Sequence, residues 1–161
     1  MPLYLLFTTS FLVGLSGAVS PGPLFVVTVE ETLKKDFKVG PQIILGHSLL
    51  ELFMVLFLIF GFGEVLKGEN VQKYLSIVGG VFLIYFGIST FLSFKKLKFK
   101  KNNSLNNKNF ILILKGILVS LSNPYWTIWW ITIGLVYLSF AFPYGFLGIF
   151  LFFIGHILSD F

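Results

Sequence analysis

Two histidine–carboxylate pairs are the residues of this chain best suited to proton or cation chemistry. His47 precedes Glu51 by four residues, and His156 precedes Asp160 by the same spacing. Residues four apart share one face of an α-helix, so each pair presents an imidazole and a carboxylate side by side. A carboxylate can hold a proton or pair with an ammonium group, and histidine exchanges protons near neutral pH. We therefore predict proton-coupling roles for His47, Glu51, His156 and Asp160, and the spacing alone does not show whether the two pairs converge.

Two proline motifs form a second kind of candidate site, because each interrupts a long apolar run. Proline removes a backbone donor and clashes with the preceding turn, so the helix breaks there. The half-helix after the break points free amide groups inward, where they attract an anion such as a carboxylate. A simple packing kink is the alternative. The predicted substrate-binding residues are Ser20, Pro21, Gly22, Pro23, Ser122, Asn123, Pro124 and Trp126.

The elements that carry these residues are apolar enough for a lipid bilayer. Of the 161 residues, 56% are hydrophobic and 12% are charged, against about a quarter charged in soluble domains. The composition therefore excludes soluble, disordered and coiled-coil classes. The absence of cysteine excludes a disulfide framework, a thiolate metal site and a dithiol electron carrier. No phosphate loop, nucleophile elbow or zinc motif occurs, so we expect neither an enzyme nor a cofactor or resident metal.

Five apolar segments follow one another along the chain. A spanning helix needs about 20 predominantly apolar residues, and the second, third and fourth segments reach that length. We predict an all-α membrane protein with five transmembrane helices, of which the first and the fourth are broken. The segments cover 3–33 with its break at 21–23, 41–66, 71–94, 110–137 with its break at 123–124, and 144–161.

The motifs recur in the same order in both halves, which predicts an internal repeat. Glycine precedes serine by six residues at Gly14 and again at Gly116, and a Gly-His-x-x-x-acid motif follows each time. Because three segments precede the second unit, that unit has the opposite orientation, as in many secondary transporters. We predict two inverted three-helix repeats, at 1–100 and 101–161, and the repeat predicts a sixth helix beyond Phe161. A natural five-helix protein is the alternative.

Lysine placement predicts the orientation in the membrane. Lys34, Lys35 and Lys38 follow the first segment and six lysines lie between 95 and 108, whereas the joint after the fourth segment has no charge. By the positive-inside rule these basic joints are cytoplasmic, which places the N-terminus outside. We predict a multi-pass protein of the cell (inner) membrane, and interpret the basic stretch as a topology anchor rather than a nucleic-acid site.

Several other residues have structural explanations. Trp129 and Trp130 are expected in the aromatic belt at the membrane interface. Glu30 and Glu31 are expected to form ion pairs with the lysines four residues later. Lys115, about one turn inside the fourth segment, is expected to extend to the cytoplasmic face.

Three motifs together carry a family resemblance: Ser20-Pro21-Gly22-Pro23, Gly46-His47 with Glu51, and Ser120-x-Ser122-Asn123-Pro124. With them the chain resembles the LysE/RhtB family of amino-acid exporters from end to end. The resemblance implies a six-helix inner-membrane protein that exports amino acids or related small zwitterionic solutes, driven by the proton gradient. Its partners would be the amino-acid substrate and the lipid bilayer, with no nucleic acid, and a homo-oligomer is left open. The alternatives are efflux of a metal cation and a membrane scaffold that transports nothing.

Overall fold

The computed structural model describes residues 1–20, 22–62 and 109–161, together with eight single positions between 70 and 88. Pro21, the basic stretch 95–108, the predicted repeat boundary at 100 and most of the third predicted segment lie outside the described residues. All regular structure in the described ranges is helical, which confirms the predicted all-α class.

Within residues 1–62 and 109–161, seven α-helices, one π-helical turn and one 3₁₀ turn follow in chain order. They are α1 (Leu3–Ala18), α2 (Pro23–Lys34), α3 (Val39–Phe62), α4 (Asn109–Leu121), α5 (Pro124–Trp129), a π-helical turn (Trp130–Gly134), α6 (Leu135–Ala141), a 3₁₀ turn (Phe142–Tyr144) and α7 (Gly145–Leu158). By length and composition, Val39–Gly61 and Pro124–Leu158 can cross a membrane. The pair α1 and α2, bent by 71° at the break, is a third candidate span.

A corner divides the stretch Pro124–Leu158 into two helices that pack on each other. Gly145 has a φ of +58°, a left-handed conformation that glycine adopts without strain. Gly148 lies so close to the carbonyl of Ala141 that no Cβ would fit. The Tyr144 hydroxyl donates to the carbonyl of Met1 at 3.0 Å. We call this end of the bundle the corner end, and the opposite end, where α2 ends at Lys34, the lysine end.

The crossing of α3 and α4 brings two backbones into direct contact. Gly46 faces the carbonyl of Ile113, and Gly116 faces the carbonyl of Ile43. A Cβ atom at either glycine would overlap the facing carbonyl. Small residues allow such close approach of membrane helices, so the two glycines fix where α3 and α4 cross.

A matching crossing joins α1 and α7. A Cβ on Gly155 would lie 2.7 Å from the carbonyl oxygen of Phe7, and one on Gly14 would lie 2.8 Å from Nδ1 of His156. The first helix of each half of the chain therefore packs on the long helix that carries the histidine–carboxylate motif of the other half.

The larger apolar core fills the bundle from its middle to the corner end, and its members are Leu6, Val55, Leu58, Trp126, Trp129, Trp130, Ile133, Leu138, Ala141 and Phe152. A smaller cluster of Val39, Ile43 and Leu112 lies nearer the lysine end. Large side chains such as Phe60 and Phe146 are more than 80% exposed. A surface of this kind is suited to contact with lipid, as the composition indicates.

Candidate functional site

The two histidine–carboxylate pairs converge in the interior of the bundle. His47, Glu51 and His156 are buried, and the Asp160 side chain is 7% exposed. His47 Nε2 lies 3.2 Å from Glu51 Oε1 and 3.7 Å from Asp160 Oδ2. His156 Nε2 lies 3.1 Å from Glu51 Oε2, a close contact that is not an aligned hydrogen bond. Each histidine therefore contacts the carboxylate of the other pair, a convergence that the helical spacing alone left open.

Two tryptophans hold the Glu51 carboxylate. The indole Nε1 groups of Trp126 and Trp130 donate to the same oxygen, Glu51 Oε1, at 3.2 and 3.1 Å. The two residues are four apart in one continuous helical stretch and so share a face. Gly134 leaves room for the Trp130 ring, because a Cβ there would collide with it. Two N–H donors in an apolar setting are what a buried carboxylate requires.

The prediction that Trp129 and Trp130 lie in a membrane-interface belt is wrong. The side chain of Trp130 is fully buried and that of Trp129 is 9% exposed. Trp129 stacks on the His156 ring, with centroids 4.6 Å apart. Both rings contact the ionisable cluster, by which we mean His47, Glu51, His156 and Asp160, rather than the membrane interface. Polar groups inside a membrane protein need such buried partners. The i,i+4 spacing of Trp126 and Trp130 was the sequence signal for this role.

Ser120 is a site residue that the sequence interpretation missed. Its hydroxyl lies 2.8 Å from Nδ1 of His47, and its side chain is almost fully buried. The contact orients the imidazole so that Nε2 faces the two carboxylates. Ser120 belongs to the motif that carries the family resemblance, but nothing in its spacing indicated a partner 73 residues away.

A cavity of about 650 Å³ adjoins the cluster. It extends along α2, past Thr28 and Thr32, to Phe37 at the lysine end. Ser122 and Pro124 are not among its lining residues, and Pro21 lies outside the described residues. The cavity brings together most of the predicted site, namely Ser20, Gly22, Pro23, His47, Glu51, Asn123, Trp126, His156 and Asp160.

The helix breaks occur where the proline motifs predict them, and they adjoin each other. At the first break Gly22 is extended, and no side chain of the described residues caps α2, which begins at Pro23. At the second break Asn123 Oδ1 accepts a hydrogen bond from the amide of Tyr125 at 3.1 Å. A Cβ on Gly22 would lie 3.8 Å from Asn123 Nδ2. The first break therefore leaves helix amides uncapped beside the cavity, whereas the second caps its own helix.

A separate ion-pair group connects the two halves at the lysine end. Glu31 pairs with Lys35 as predicted, with Nζ and Oε2 2.5 Å apart. Lys115, expected only to extend to the membrane face, also pairs with Glu31, with Nζ and Oε1 2.5 Å apart. Glu31 is buried, so this contact between α2 and α4 lies partly shielded from solvent.

The helical architecture and apolar spans define a multi-pass membrane protein, and comparison with known proteins gives the family. The chain belongs to the LysE type translocator family, whose profile matches residues 15–161. This confirms the family resemblance. A Bacillus subtilis (strain 168) protein named "Putative amino acid efflux protein YcgF" is 26% identical over 131 residues, covering 80% of this chain. The match covers 61% of that relative's length. No solved structure matches the chain.

Proposed function

We propose that this translocator exports amino acids or related small zwitterionic solutes across the cell membrane, driven by the proton gradient. The observation that carries the proposal is a single cavity lined by both kinds of group that a zwitterion requires. Buried carboxylates of Glu51 and Asp160 lie at one side, and the uncapped amino end of α2 lies at another. A ligand with one ammonium and one carboxylate group complements both.

The substrate carboxylate binds at the first break in this proposal. The amides that follow Gly22 have no side-chain cap, and the helix dipole adds partial positive charge there. Asn123 contributes its Nδ2 group, because its Oδ1 atom is already engaged by the Tyr125 amide. The amides of the second break, assigned the same role from the sequence, are partly satisfied by this cap.

The ionisable cluster supplies ammonium binding and proton exchange in this proposal. Glu51 and Asp160 are the acidic partners, and His47 and His156 pass protons between them and the cavity. Glu51→Gln keeps the size of the side chain but removes its titratable proton. We expect the variant to lose export from cells loaded with amino-acid-containing dipeptides when export is compared per molecule of protein in the membrane.

The matched control for Glu51→Gln is Glu30→Gln, which removes a carboxylate outside the cavity lining and should export normally. Full export by Glu51→Gln would instead assign Glu51 a purely structural role.

We extend the proposal to the architecture: inverted repeats at 1–100 and 101–161, with spanning helices one and four broken. The reciprocal crossings of α3 with α4 and of α1 with α7 support it, since repeats related by a pseudo-two-fold axis exchange contacts in this way. The proposed orientation places the N-terminus outside. A cysteine introduced at position 2 should react with an impermeant reagent on intact cells, and one at position 104 should not. Labelling at 104 would reverse the orientation.

Divalent metal efflux is the second candidate function, and a specific observation favours it. Ligand atoms of His47, Glu51 and Asp160 lie within 4.8 Å of one another. Imidazole and carboxylate groups at this spacing suit Zn²⁺ or Mn²⁺. A ligand that binds only the folded protein raises its melting temperature with concentration. Stabilisation by Zn²⁺ but by no amino acid would therefore favour metal cargo, and the reverse result favours the amino-acid exporter.

A further inference from the structure

The two carboxylates of the cluster have different capacities for a new partner. Resting on the proposed function, we infer that Asp160, and not Glu51, binds the substrate ammonium. We further infer that the site selects amino acids with one ammonium group and an apolar side chain. Three observations support this: the partners of Glu51, the partners of Asp160 and the chemistry of the cavity wall.

Nitrogen atoms enclose both oxygens of Glu51 more closely than those of Asp160, although Glu51 Oε2 also lacks an aligned hydrogen bond within the described residues. Trp126, Trp130 and His47 place nitrogen atoms 3.2, 3.1 and 3.2 Å from its Oε1 atom. His156 places a fourth nitrogen 3.1 Å from Oε2. A carboxylate offers about four lone-pair positions in all. Its side chain is 2% exposed, so an ammonium group would have to displace one of these nitrogens.

Asp160 has unused capacity. Its Oδ2 atom is buried and makes no hydrogen bond within the part of the chain that the structure describes. The nearest ionisable partner is His47 Nε2 at 3.7 Å, beyond hydrogen-bond range. Asp160 also lines the cavity. A buried carboxylate oxygen without a donor is costly, and a substrate ammonium in the cavity would remove that cost.

The rest of the cavity wall limits what the substrate side chain can be. No lysine is among the described lining residues, and the chain has no arginine. An acidic side chain would therefore meet no lysine or arginine, and the two histidines of the wall already contact Glu51 or Asp160. A second ammonium would find only Glu51, which nitrogen atoms already enclose. Apolar side chains border the space beside the first break, namely Leu15, Val19, Leu24, Phe25 and Ile44. This surface suits the side chain of leucine or a similar amino acid.

Intrinsic fluorescence can report binding directly, because the only tryptophans of the chain are Trp126, Trp129 and Trp130. The purified full chain in detergent is titrated with leucine, lysine, glutamate, isoamylamine and 4-methylpentanoate. The last two are leucine without its carboxylate and without its ammonium group. We expect saturable binding of leucine and at least about 10-fold weaker binding of the other four. The two leucine analogues each lose one charged contact, and lysine and glutamate each place an additional charge against the apolar part of the wall.

Asp160→Asn should weaken leucine binding by about 10- to 100-fold, because it removes the charge that pairs with the ammonium. Glu30→Gln is the matched control and should bind like the wild type. If lysine binds as tightly as leucine, or if Asp160→Asn binds leucine normally, the inference is wrong although the exporter proposal stands.

The ligand series on the wild-type chain decides whether the site binds an ammonium group, even if Asp160→Asn does not fold. Equal binding of 4-methylpentanoate and leucine would rule out an ammonium site. A complete lack of response to amino acids, together with no export from dipeptide-loaded cells, would overturn the proposed function and this inference with it.

Discussion

The two halves of the chain carry the same motifs at corresponding positions, but the groups in these motifs have different hydrogen-bond partners. In the N-terminal half the helix break is uncapped and the motif carboxylate, Glu51, is surrounded by four nitrogens. In the C-terminal half the break is capped by Asn123, and Asp160 Oδ2 has no hydrogen-bond donor within the described residues and lies 3.7 Å from His47 Nε2. Each half therefore supplies one more enclosed group and one more available group. A zwitterion that uses both available groups would bridge the halves.

Both halves take part in helix crossings, of α3 with α4 and of α1 with α7, at which glycine allows close approach. Disrupting such a crossing should have the largest effect on stability. Gly46→Leu forces a side chain into the carbonyl of Ile113. We expect a loss of more than about 4 kcal/mol, enough to prevent folding. The measurement is the amount of monodisperse protein recovered in detergent and its melting temperature. Gly17→Leu is the control, since nothing lies within 4 Å of a Cβ there, and equal stability of both variants would contradict the crossing.

The two motif carboxylates should differ in their contribution to stability. Glu51→Gln leaves four nitrogens around a side chain that no longer carries charge, so we expect a loss of about 3 kcal/mol. Asp160→Asn removes no hydrogen bond to Oδ2 within the described residues and only a 3.7 Å contact with His47, so we expect a smaller loss, of about 1 kcal/mol. Thermal melts of both variants against the wild type test this difference. Similar losses for the two would show that both carboxylates are structural.

The Asn123 cap of the second break should contribute moderately to the free energy of unfolding. Asn123→Ala removes the acceptor for the Tyr125 amide, and loss of such a cap costs about 1 kcal/mol. Ser122→Ala, which removes only a bond to the carbonyl of Val119, serves as the neighbouring control. An unchanged melting temperature for Asn123→Ala would mean that the amides of the second break are available to a ligand after all.

The smallest expected effect on stability comes from Gly22→Asn, which places at the first break the type of capping residue that Asn123 provides at the second. Gly22 has an extended backbone, φ −83° and ψ 176°, which asparagine can adopt. Gly22→Asn should raise stability by a few tenths of a kcal/mol. It should also weaken amino-acid binding by about threefold or more, because the new side chain occupies amides that otherwise bind the carboxylate. Tighter binding by this variant would show that the carboxylate binds elsewhere.

Local chemistry determined much of the fold from the sequence alone. The helices, the breaks near Pro23 and Pro124, and the pairing of His47 with Glu51 on one helix face follow from apolar runs, proline geometry and helical spacing. These features need only neighbours within a few residues along the chain, so the sequence contains the whole physical cause. Asp160 instead lies beyond the end of α7 and pairs with His47.

Only the tertiary structure decided which side chains, far apart in the sequence, contact one another. Glu51 receives two indole donors from residues 75 and 79 positions later, and His47 meets Ser120 across 73 residues. Likewise, Lys115 pairs with Glu31 across 84 residues. These partners depend on where α3 crosses α4 and α1 crosses α7, and glycine contacts between distant backbones set those crossings. The close enclosure of Glu51 by nitrogen atoms and the availability of Asp160 are consequences of that packing, which helical periodicity does not encode.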